Sequence, residues 1–446
     1  MNEENYPKEL SKKMIAELND YVIVDTYPFV IDLKRSHGPW MVTVDGDEIF
    51  DWTGLYGSRL LGHNHPRMRE SEYVERLIVA ANNKMANPDF LTEECLSYYR
   101  LLYKLRPKCY HSQKAEVYVV NSGAEAVENM MKYMINLHRE KLQQQNKNVS
   151  AKRFLYFDQA FHGRTIFTLN ITQLKHDPLL TRDYQGLVPG NLKVPFPATD
   201  NSRSYEENKK EMQEALSHIE ILMKTYNDEI IAVILEPIQG AGGQRVALPE
   251  FYNGLSMLCQ KYQIFWGVDE VQTSGGVTGK FFCIDNFDIP NPPQAIASAK
   301  KMANGVLYML RSMKDVGVLD STWGGNLADM VRFQQEWKII EEEGYFTSVL
   351  DKSKYFIERL CDLEKKYSNI IFNVRGMGLY QGFSMRNSKD KGRLINLALE
   401  KENLLLLGAG DYSIRFRPSI DITKDEISLL ITKLDTTLTA LKHLNS

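Results

Sequence analysis

The stretch Ile264-Phe-Trp-Gly-Val-Asp269 decides the fold of this chain, because it is a short apolar run that ends at the carboxylate of Asp269. The stretch Ala295-Ile-Ala-Ser-Ala-Lys300 has the same form and ends at an amine. Short apolar runs of this kind are typical of strands buried in a parallel sheet. Residues just past the carboxyl ends of such strands line the ligand crevice of an open α/β sheet. We therefore predict that Asp269 and Lys300 face one pocket.

From about residue 60 the chain alternates long helical patterns with further short apolar runs. These runs are Glu116-Val-Tyr-Val-Val120, Phe154-Leu-Tyr-Phe157 and Ile230-Ile-Ala-Val-Ile-Leu235. Such alternation predicts a mostly parallel sheet wrapped by helices, so the expected fold class is α/β. A chain of 446 residues is too long for one compact core. We expect a large α/β domain over residues 60–330 and a small α+β domain built from residues 1–59 and 331–446.

The two ends of the chain carry patterns of a different kind. A helix is predicted over residues 8–20, followed by a hairpin. The hairpin would pair Phe29-Val-Ile-Asp-Leu33 with Trp40-Met-Val-Thr-Val44, with Asp45-Gly46 at its turn. Near the other end, a helix predicted from Leu327 to Glu343 precedes short apolar runs, which indicates a second small sheet with helices.

Composition excludes several classes of function. Hydrophobic residues make up 43% and charged residues 25% of the chain, as in proteins with a packed core. A net charge of −3 provides no overall attraction for nucleic acid or for an anionic membrane surface. The five cysteines are widely spaced and odd in number, so neither a disulfide framework nor a metal site is expected. Because the sequence has no signal peptide and no membrane span, we expect a cytoplasmic protein that acts on small molecules.

Asp269 and Lys300 together indicate a specific chemistry. A carboxylate against a pyridinium nitrogen and a lysine that can form a Schiff base are the minimal protein contribution to pyridoxal phosphate chemistry. Considered alone, Lys300 has an alternative interpretation as a surface residue, and Asp269 as a helix cap. Lys301 is a rival to its neighbour. Because adjacent residues on an extended chain point in opposite directions, we expect only one of the two lysines to line the pocket.

The motif Asn121-Ser-Gly-Ala-Glu-Ala126 follows a predicted strand and opens a long helix. Ser122 is well placed to cap that helix, and the free amides of the helix terminus form an anion site together with the helix dipole. Gly123 lets the backbone approach a phosphate closely. Any strand-to-helix turn can contain Ser-Gly, but here the motif provides the phosphate anchor that the cofactor needs.

The motif Phe161-His-Gly-Arg164 follows another predicted strand. The Phe161 ring could stack on a planar cofactor, and the alternative is an ordinary core phenylalanine. Arg164 is suited to bidentate capture of a carboxylate at the edge of a crevice, and the alternative is a surface arginine.

Further candidates lie near other predicted strands. Glu236 directly follows the most hydrophobic strand, at its carboxyl end and thus on the pocket side. Gln272, which is three residues after Asp269, could hydrogen-bond the ring hydroxyl of the cofactor. Arg415 and Arg417 are expected on one strand with opposite orientations, so that only one of them reaches the crevice.

Taken in order along the chain, these motifs resemble the class III aminotransferases, which are pyridoxal phosphate enzymes of the aspartate aminotransferase fold. The motifs that carry the resemblance are Leu61-Gly-His-Asn-His-Pro66, Asn121-Ser-Gly-Ala124, Phe161-His-Gly163, Glu236-Pro237, Asp269-Glu-Val-Gln-Thr273, Ala299-Lys300, Val374-Arg-Gly376 and Arg415-Phe416. Within this family the chain is most similar to the lysine 6-aminotransferases, through Asp32-Leu-Lys-Arg-Ser-His-Gly38, Asn87-Pro-Asp-Phe90, Phe161-His-Gly-Arg164, Lys300-Lys301 and Ser321-Thr-Trp-Gly-Gly-Asn326.

The resemblance implies a role for each cofactor residue. Lys300 would form the Schiff base with pyridoxal phosphate, and Asp269 would pair with the pyridinium nitrogen. The remaining contacts would come from Ser122, Gly123 and Ala124 to the phosphate, from Phe161 to the ring face, from Gln272 to the ring oxygen, and from Thr322 to the phosphate of the neighbouring subunit. A homodimer with shared active sites is therefore the expected assembly.

The resemblance also implies two small-molecule substrates, L-lysine and 2-oxoglutarate, that bind in turn. Arg415 is expected to bind the carboxylate nearest the cofactor, and Arg164 the distant one. Glu236 is expected to neutralise Arg415 when lysine is bound and to swing away for 2-oxoglutarate, because an unpaired buried charge is costly.

Three alternatives to a lysine aminotransferase remain. They are another ω-aminotransferase that uses ornithine, 4-aminobutyrate or diaminobutyrate, an isomerase of the same fold, and a catalytically silent relative that binds a ligand or partner.

Overall fold

The computed structural model describes residues 6–83, 88–315 and 317–444. Within these residues the helices are α1 (Glu9–Asn19), α2 (Gly54–Gly57), α3 (Ser71–Asn82), α4 (Glu93–Lys104), α5 (Gly123–Gln144), α6 (Ile166–Leu169), α7 (Tyr205–Thr225), α8 (Pro249–Lys261), α9 (Leu327–Glu342), α10 (Tyr345–Lys366), α11 (Ser388–Glu402) and α12 (Lys424–Leu444). The helices predicted near residue 8 and from residue 327 are confirmed as α1 and α9. None of the helices in this part of the chain is long and apolar enough to cross a membrane.

The strands of the same residues follow the predicted alternation with helices. They are β1 (Trp40–Val42), β2 (Glu48–Asp51), β3 (Glu116–Val120), β4 (Arg153–Phe157), β5 (Leu192–Val194), β6 (Ile230–Leu235), β7 (Ile238–Gln239), β8 (Arg245–Val246), β9 (Phe265–Asp269), β10 (Ala295–Ser298), β11 (Gly305–Met309), β12 (Ile371–Met377), β13 (Tyr380–Met385), β14 (Leu404–Leu405), β15 (Leu407–Ala409) and β16 (Ser413–Arg415). β3 and β6 begin and end at the predicted residues.

Seven strands form the central sheet, in the spatial order β3-β11-β10-β9-β6-β4-β5. The pairs from β10 to β5 are parallel, whereas β11 runs antiparallel to both of its neighbours, β10 and β3. All strands except β11 therefore share one direction, and their carboxyl ends meet at one edge. The predicted, mostly parallel sheet is confirmed.

Helices cover both faces of this sheet, which explains why its strands are continuous apolar runs. All residues of β6 are buried. Val233 belongs to the hydrophobic cluster that contains Phe251 of α8, whereas its neighbour Ile234 belongs to the cluster that contains Met130 of α5. The approach of α5 is close at Gly267 in β9, where a Cβ atom would lie 2.6 Å from Met130 Sδ. A larger residue at position 267 would force the Met130 side chain to move.

Two smaller sheets are built from segments before and after the central sheet in sequence. One joins β1, β2 and β14, and the other has the order β12-β13-β16-β15. The predicted hairpin is confirmed only in part. Residues 29–33 pair with residues 42–44 at one antiparallel bridge, between Ile31 and Thr43, whereas the regular pairing across the turn at Asp45-Gly46 joins β1 to β2. A short Asp-Gly turn joins the strands directly before and after it, which here are β1 and β2.

The expected division into two domains stays a prediction. The central sheet takes its strands from residues 116–309, inside the expected large domain. The two smaller sheets take theirs from residues 40–51 and 371–415, inside the expected small domain.

Candidate active site

The carboxyl ends of the parallel strands open on a crevice. Asp269 is the last residue of β9, Lys300 follows β10, and Glu236 directly follows β6. One pocket in the crevice is lined by the predicted residues Gly123, Ala124, Phe161, Glu236, Asp269, Gln272 and Lys300, together with His162, Gly163, Ile238, Val271 and Thr273. The fold therefore brings together side chains that lie far apart in sequence.

The Asp269 carboxylate is held from two sides. Its Oδ1 accepts a hydrogen bond from the Val271 amide at 3.0 Å, and its Oδ2 lies 2.8 Å from His162 Nδ1. Both Asp269 and His162 are buried. An Nδ1–H that donates to the carboxylate fixes the orientation of Asp269 in the crevice. The sequence-based prediction does not include His162, although its place directly after Phe161 is a signal that could have indicated the pocket.

The Lys300 amine lies in surroundings that favour its neutral form. Its Nζ donates a hydrogen bond to the Tyr56 carbonyl oxygen at 2.8 Å. Burial, followed by the positive charges of Arg415 and Arg417, lowers the pKa of Lys300 to about 8. An amine with this pKa can lose its proton close to neutral pH, as a nucleophile or a general base must.

The backbone at Lys300 differs from the sequence-based expectation. Lys300 has a φ of 53° and opens a 3-10 turn that runs to Met302. The two lysines therefore do not alternate as they would on an extended chain, and that part of the prediction is wrong. Lys300 lines the pocket with Asp269, whereas Lys301 is buried and donates from Nζ to the Gly57 carbonyl oxygen at 2.7 Å.

The start of α5 has the features of an anion site. Ser122 is the N-cap, because its Oγ accepts a hydrogen bond from the Glu125 amide at 3.2 Å. A Cβ atom at Gly123 would lie 2.7 Å from Val271 Cγ1, so only glycine lets the turn approach the chain after Asp269 so closely. The amides of the first turn and the dipole of this helix of 22 residues meet at the pocket that Gly123 lines.

Glu236 lies beside Phe161 in this structure. The Phe161 amide donates a hydrogen bond to Glu236 Oε2 at 3.0 Å. Burial, followed by the negative charge of Asp269, raises the pKa of the Glu236 carboxyl well above its ordinary value, and the charge of Arg415 opposes this shift. The predicted salt bridge between Glu236 and Arg415 stays a prediction.

The charges of Arg415 and Arg417 both act on Lys300, and the expectation that only one of these arginines reaches the crevice stays a prediction. β16 ends at Arg415, and residues two apart on a strand share a face. Arg415 Nη1 donates to Gln272 Oε1 at 3.4 Å, and Arg417 Cζ lies 4.0 Å from the ring centre of Tyr380. Burial lowers the pKa of Arg415 to about 10 and that of Arg417 to about 9.

Four of the predicted residues do not line this pocket, namely Ser122, Arg164, Thr322 and Arg415. Ser122 caps the helix that opens on the pocket and Arg415 is buried, whereas the side chains of Arg164 and Thr322 are exposed. Thr322 lies in a turn shortly before α9. Its contact with a neighbouring subunit stays a prediction, as does the contact of Arg164 with a substrate. Asn87, the first residue of one motif used above, lies outside the described residues.

The residues of the crevice fit pyridoxal phosphate. Lys300 would hold the aldehyde carbon, Asp269 the ring nitrogen, and the start of α5 the phosphate. The fit rests on three features of this chain, which are an amine of lowered pKa, a buried carboxylate oriented by His162, and a helix terminus kept open by Gly123. An α/β crevice with these features defines a pyridoxal phosphate enzyme.

Comparison with known proteins identifies the family. The model of the class-III aminotransferase family matches residues 21–438. The chain is 28% identical to an L-lysine-epsilon aminotransferase from Streptomyces clavuligerus over 433 residues, which cover 95% of this chain and 93% of that protein. It is 27% identical to a probable mitochondrial 4-aminobutyrate aminotransferase from Caenorhabditis elegans over 456 residues, which cover 98% and 93% of the two chains.

A solved structure leads to the same family. The lysine aminotransferase from Mycobacterium tuberculosis, in its internal aldimine form, superposes with a TM-score of 0.90 and 28% identity over 97% of this chain and 99% of that chain. The protein described here belongs to the class III aminotransferases. The predicted fold, the aminotransferase class and pyridoxal phosphate as cofactor are confirmed.

Proposed function

We propose that this enzyme transfers the terminal amino group of L-lysine to 2-oxoglutarate. The products would be L-glutamate and 2-aminoadipate 6-semialdehyde, which cyclises to piperideine-6-carboxylate. The observation that carries the proposal is the near full-length similarity, in sequence and in structure, to proteins named as lysine aminotransferases. The relative from Caenorhabditis elegans favours 4-aminobutyrate as a second candidate donor, because its identity is almost as high.

We assign the proton chemistry to two residues of the pocket. When bound, pyridoxal phosphate supplies a ring that accepts the electrons released as the substrate carbon loses a proton. Asp269, oriented by His162, keeps a proton on the ring nitrogen. Lys300 moves the proton to and from the substrate carbon, and a pKa near 8 supports this role because the amine is available near neutral pH.

We assign the remaining cofactor contacts to groups at the rim of the same crevice. Ser122, Gly123 and Ala124 bind the phosphate, Phe161 packs on the ring face, Gln272 binds the ring oxygen, and Thr322 binds the phosphate of the neighbouring subunit. The exposed position of Thr322 supports its assignment, because a side chain that serves another subunit must face outward in the single chain. The active unit is then a homodimer.

The two substrates place their carboxylates at different distances from the cofactor. Lysine reacts through its terminal amine and keeps its carboxylate far away, whereas glutamate carries a carboxylate next to the reacting amine. We assign the near carboxylate to Arg415 and the far one to Arg164. Glu236 neutralises Arg415 while lysine is bound, and burial of both side chains supports this role because an uncompensated buried charge is costly.

The donor can be identified without a keto acid. The purified enzyme is mixed separately with L-lysine, ornithine, 4-aminobutyrate and diaminobutyrate, and the visible absorbance of the bound cofactor is followed. We expect L-lysine to change the absorbance fastest and to yield a product that cyclises. If 4-aminobutyrate is faster, the second candidate replaces the first. If no donor changes the absorbance, an isomerase or a silent relative becomes the better interpretation.

We also propose that the enzyme works in the cytoplasm. The structure describes all five cysteines and shows no disulfide bond among them, as is usual in a reducing compartment.

A further inference from the structure

A turn with unusual backbone geometry lies against Lys300. The four residues of α2, Gly54, Leu55, Tyr56 and Gly57, have φ values of 53°, 51°, 60° and 77°. Leu55 and Tyr56 carry side chains, and the left-handed region brings a Cβ atom too close to the following carbonyl oxygen. Residues in such conformations persist only where their surroundings hold them, and they cluster at functional sites.

The amines of two neighbouring lysines hold this turn. Lys300 Nζ donates to the Tyr56 carbonyl oxygen at 2.8 Å, and Lys301 Nζ donates to the Gly57 carbonyl oxygen at 2.7 Å. Adjacent amines therefore contact adjacent carbonyls. The 3-10 turn that begins at Lys300 makes this possible, because on an extended strand the two side chains would point in opposite directions.

Lys301 is buried and is surrounded by oxygen acceptors. Only 2% of its surface is exposed. Besides Gly57, its Nζ contacts the Gln272 carbonyl oxygen at 3.3 Å and the hydroxyl of Tyr380. Burial of a lysine without a carboxylate partner is costly. Burial, followed by the charge of Lys300, accordingly lowers the pKa of Lys301 well below its ordinary value.

The space around these contacts is closely filled. A Cβ atom at Gly57 would lie 2.7 Å from Tyr380 Oη, and a Cβ atom at Gly275 would lie 2.8 Å from Lys301 Cδ. On the ring of Tyr380 lies the guanidinium of Arg417, with Cζ 4.0 Å from the ring centre. The close packing therefore confines the Lys301 amine beside the Gly57 carbonyl oxygen, at the end of the turn.

We propose that Lys301 is a positioning residue, which holds the Gly54–Gly57 turn in its left-handed form and thereby places the Tyr56 carbonyl where it receives the Lys300 amine. With one N–H donated to this carbonyl, the free amine of Lys300 keeps its lone pair for the proton of the substrate carbon. Loss of the Lys301 contact releases the turn and lets the Lys300 amine leave this position. The inference rests on the proposed role of Lys300 and not on the identity of the amino donor.

The variant Lys301→Met tests the inference, because it keeps an unbranched side chain as far as the Cε position and removes the amine with its donors. In the cofactor-free protein, hydrogen exchange of the amides of residues 54–59 should become at least about tenfold faster. The matched control is Lys352→Met, which removes another buried lysine whose Nζ donates to a carbonyl oxygen, that of Ile420 at 2.6 Å. The control should leave exchange in residues 54–59 unchanged. Unchanged exchange in Lys301→Met would overturn the inference.

The kinetics of the enzyme with bound pyridoxal phosphate provide a second test. In the half-reaction with an amino donor, Lys301→Met should lower kcat about tenfold while KM changes by less than about twofold, because the substrate contacts remain and only the amine is misplaced.

If Lys301→Met does not fold, Tyr380→Phe provides a second variant, which removes the hydroxyl contact to Lys301 Nζ. It should give a smaller increase in hydrogen exchange in residues 54–59, and no increase would overturn the inference. If no donor reacts with the unaltered enzyme, the proposed function fails, while the exchange result still decides the role of Lys301.

Discussion

At the scale of single residues, the surroundings of Lys300 decide what its amine can do. The sequence indicates this lysine through the apolar run that precedes it. It does not indicate that Arg415 and Arg417, far along the chain, lie close enough to repel a proton from the amine. The lowered pKa is therefore a property of the fold and not of the local sequence.

The lowered pKa of Lys300 predicts a titration in the cofactor-free protein. The amine should be charged below pH 8 and neutral above it, since its pKa is about 8 and the ordinary value is 10.5. Competitive acylation at a series of pH values, read by mass spectrometry, should show half-maximal reactivity of Lys300 near pH 8, with exposed lysines as the internal reference. Arg415→Met should move this midpoint upward, because it removes a repelling charge. A midpoint near 10.5 in the unaltered protein would contradict the prediction.

Glu236 gives a second prediction at this scale. Glu236→Ala should slow the half-reaction with L-lysine about tenfold more than the half-reaction with glutamate, because Arg415 then stays uncompensated while lysine is bound. Single-turnover measurements of each half-reaction provide the comparison. Glu236→Gln is the matched control, since it keeps an acceptor for the Phe161 amide but carries no charge, and it should resemble Glu236→Ala. Equal loss in both half-reactions would remove the proposed movement of Glu236.

At the scale of elements, a helical pattern over several turns and a continuous apolar run both predict well. α9 follows from the first and β6 from the second, and both lie where the sequence predicts them. The hairpin at the start of the chain is confirmed only in part, because residues 29–33 pair with residues 42–44 at a single bridge and the regular partner of β1 is β2. The left-handed turn at Leu55 and Tyr56 has no local signal, because such side chains disfavour a positive φ and only the surrounding contacts impose it.

The start of α5 gives a prediction at the scale of elements. Ser122→Ala should lower the free energy of unfolding by about 1 kcal/mol, because the Glu125 amide loses its cap. It should also weaken binding of pyridoxal phosphate, measured by titration of the cofactor-free protein. Ser204→Ala is the matched control, because Ser204 caps α7 in a capping box and α7 does not open on the pocket. The control should lose similar stability and keep its cofactor affinity; equal weakening in both variants would contradict the proposed phosphate site.

At the scale of the whole molecule, the position of Thr322 leads to a prediction about assembly. Thr322→Ala should weaken cofactor binding about tenfold, because a hydrogen bond to a phosphate is lost. In a mixed dimer of Thr322→Ala and Lys300→Ala chains, one site combines Lys300 of the first chain with Thr322 of the second and is unaltered. Mixing the two variants under conditions of subunit exchange should therefore restore activity above the sum of the separate proteins. Activity equal to that sum would show that Thr322 does not serve the neighbouring subunit.

The sequence by itself determined five strands of the central sheet (β3, β4, β6, β9 and β10), the side chains at their ends and the glycine and serine at the start of α5, because apolar runs and helix caps act over a few neighbouring residues. It did not indicate β5 or β11. Only the tertiary structure decided the contacts of His162 with Asp269, the approach of Arg417 to Tyr380 near Lys300, and the left-handed turn that the two lysines hold. These features join residues that are far apart in the chain, and their packing outweighs the conformations that each segment would prefer alone.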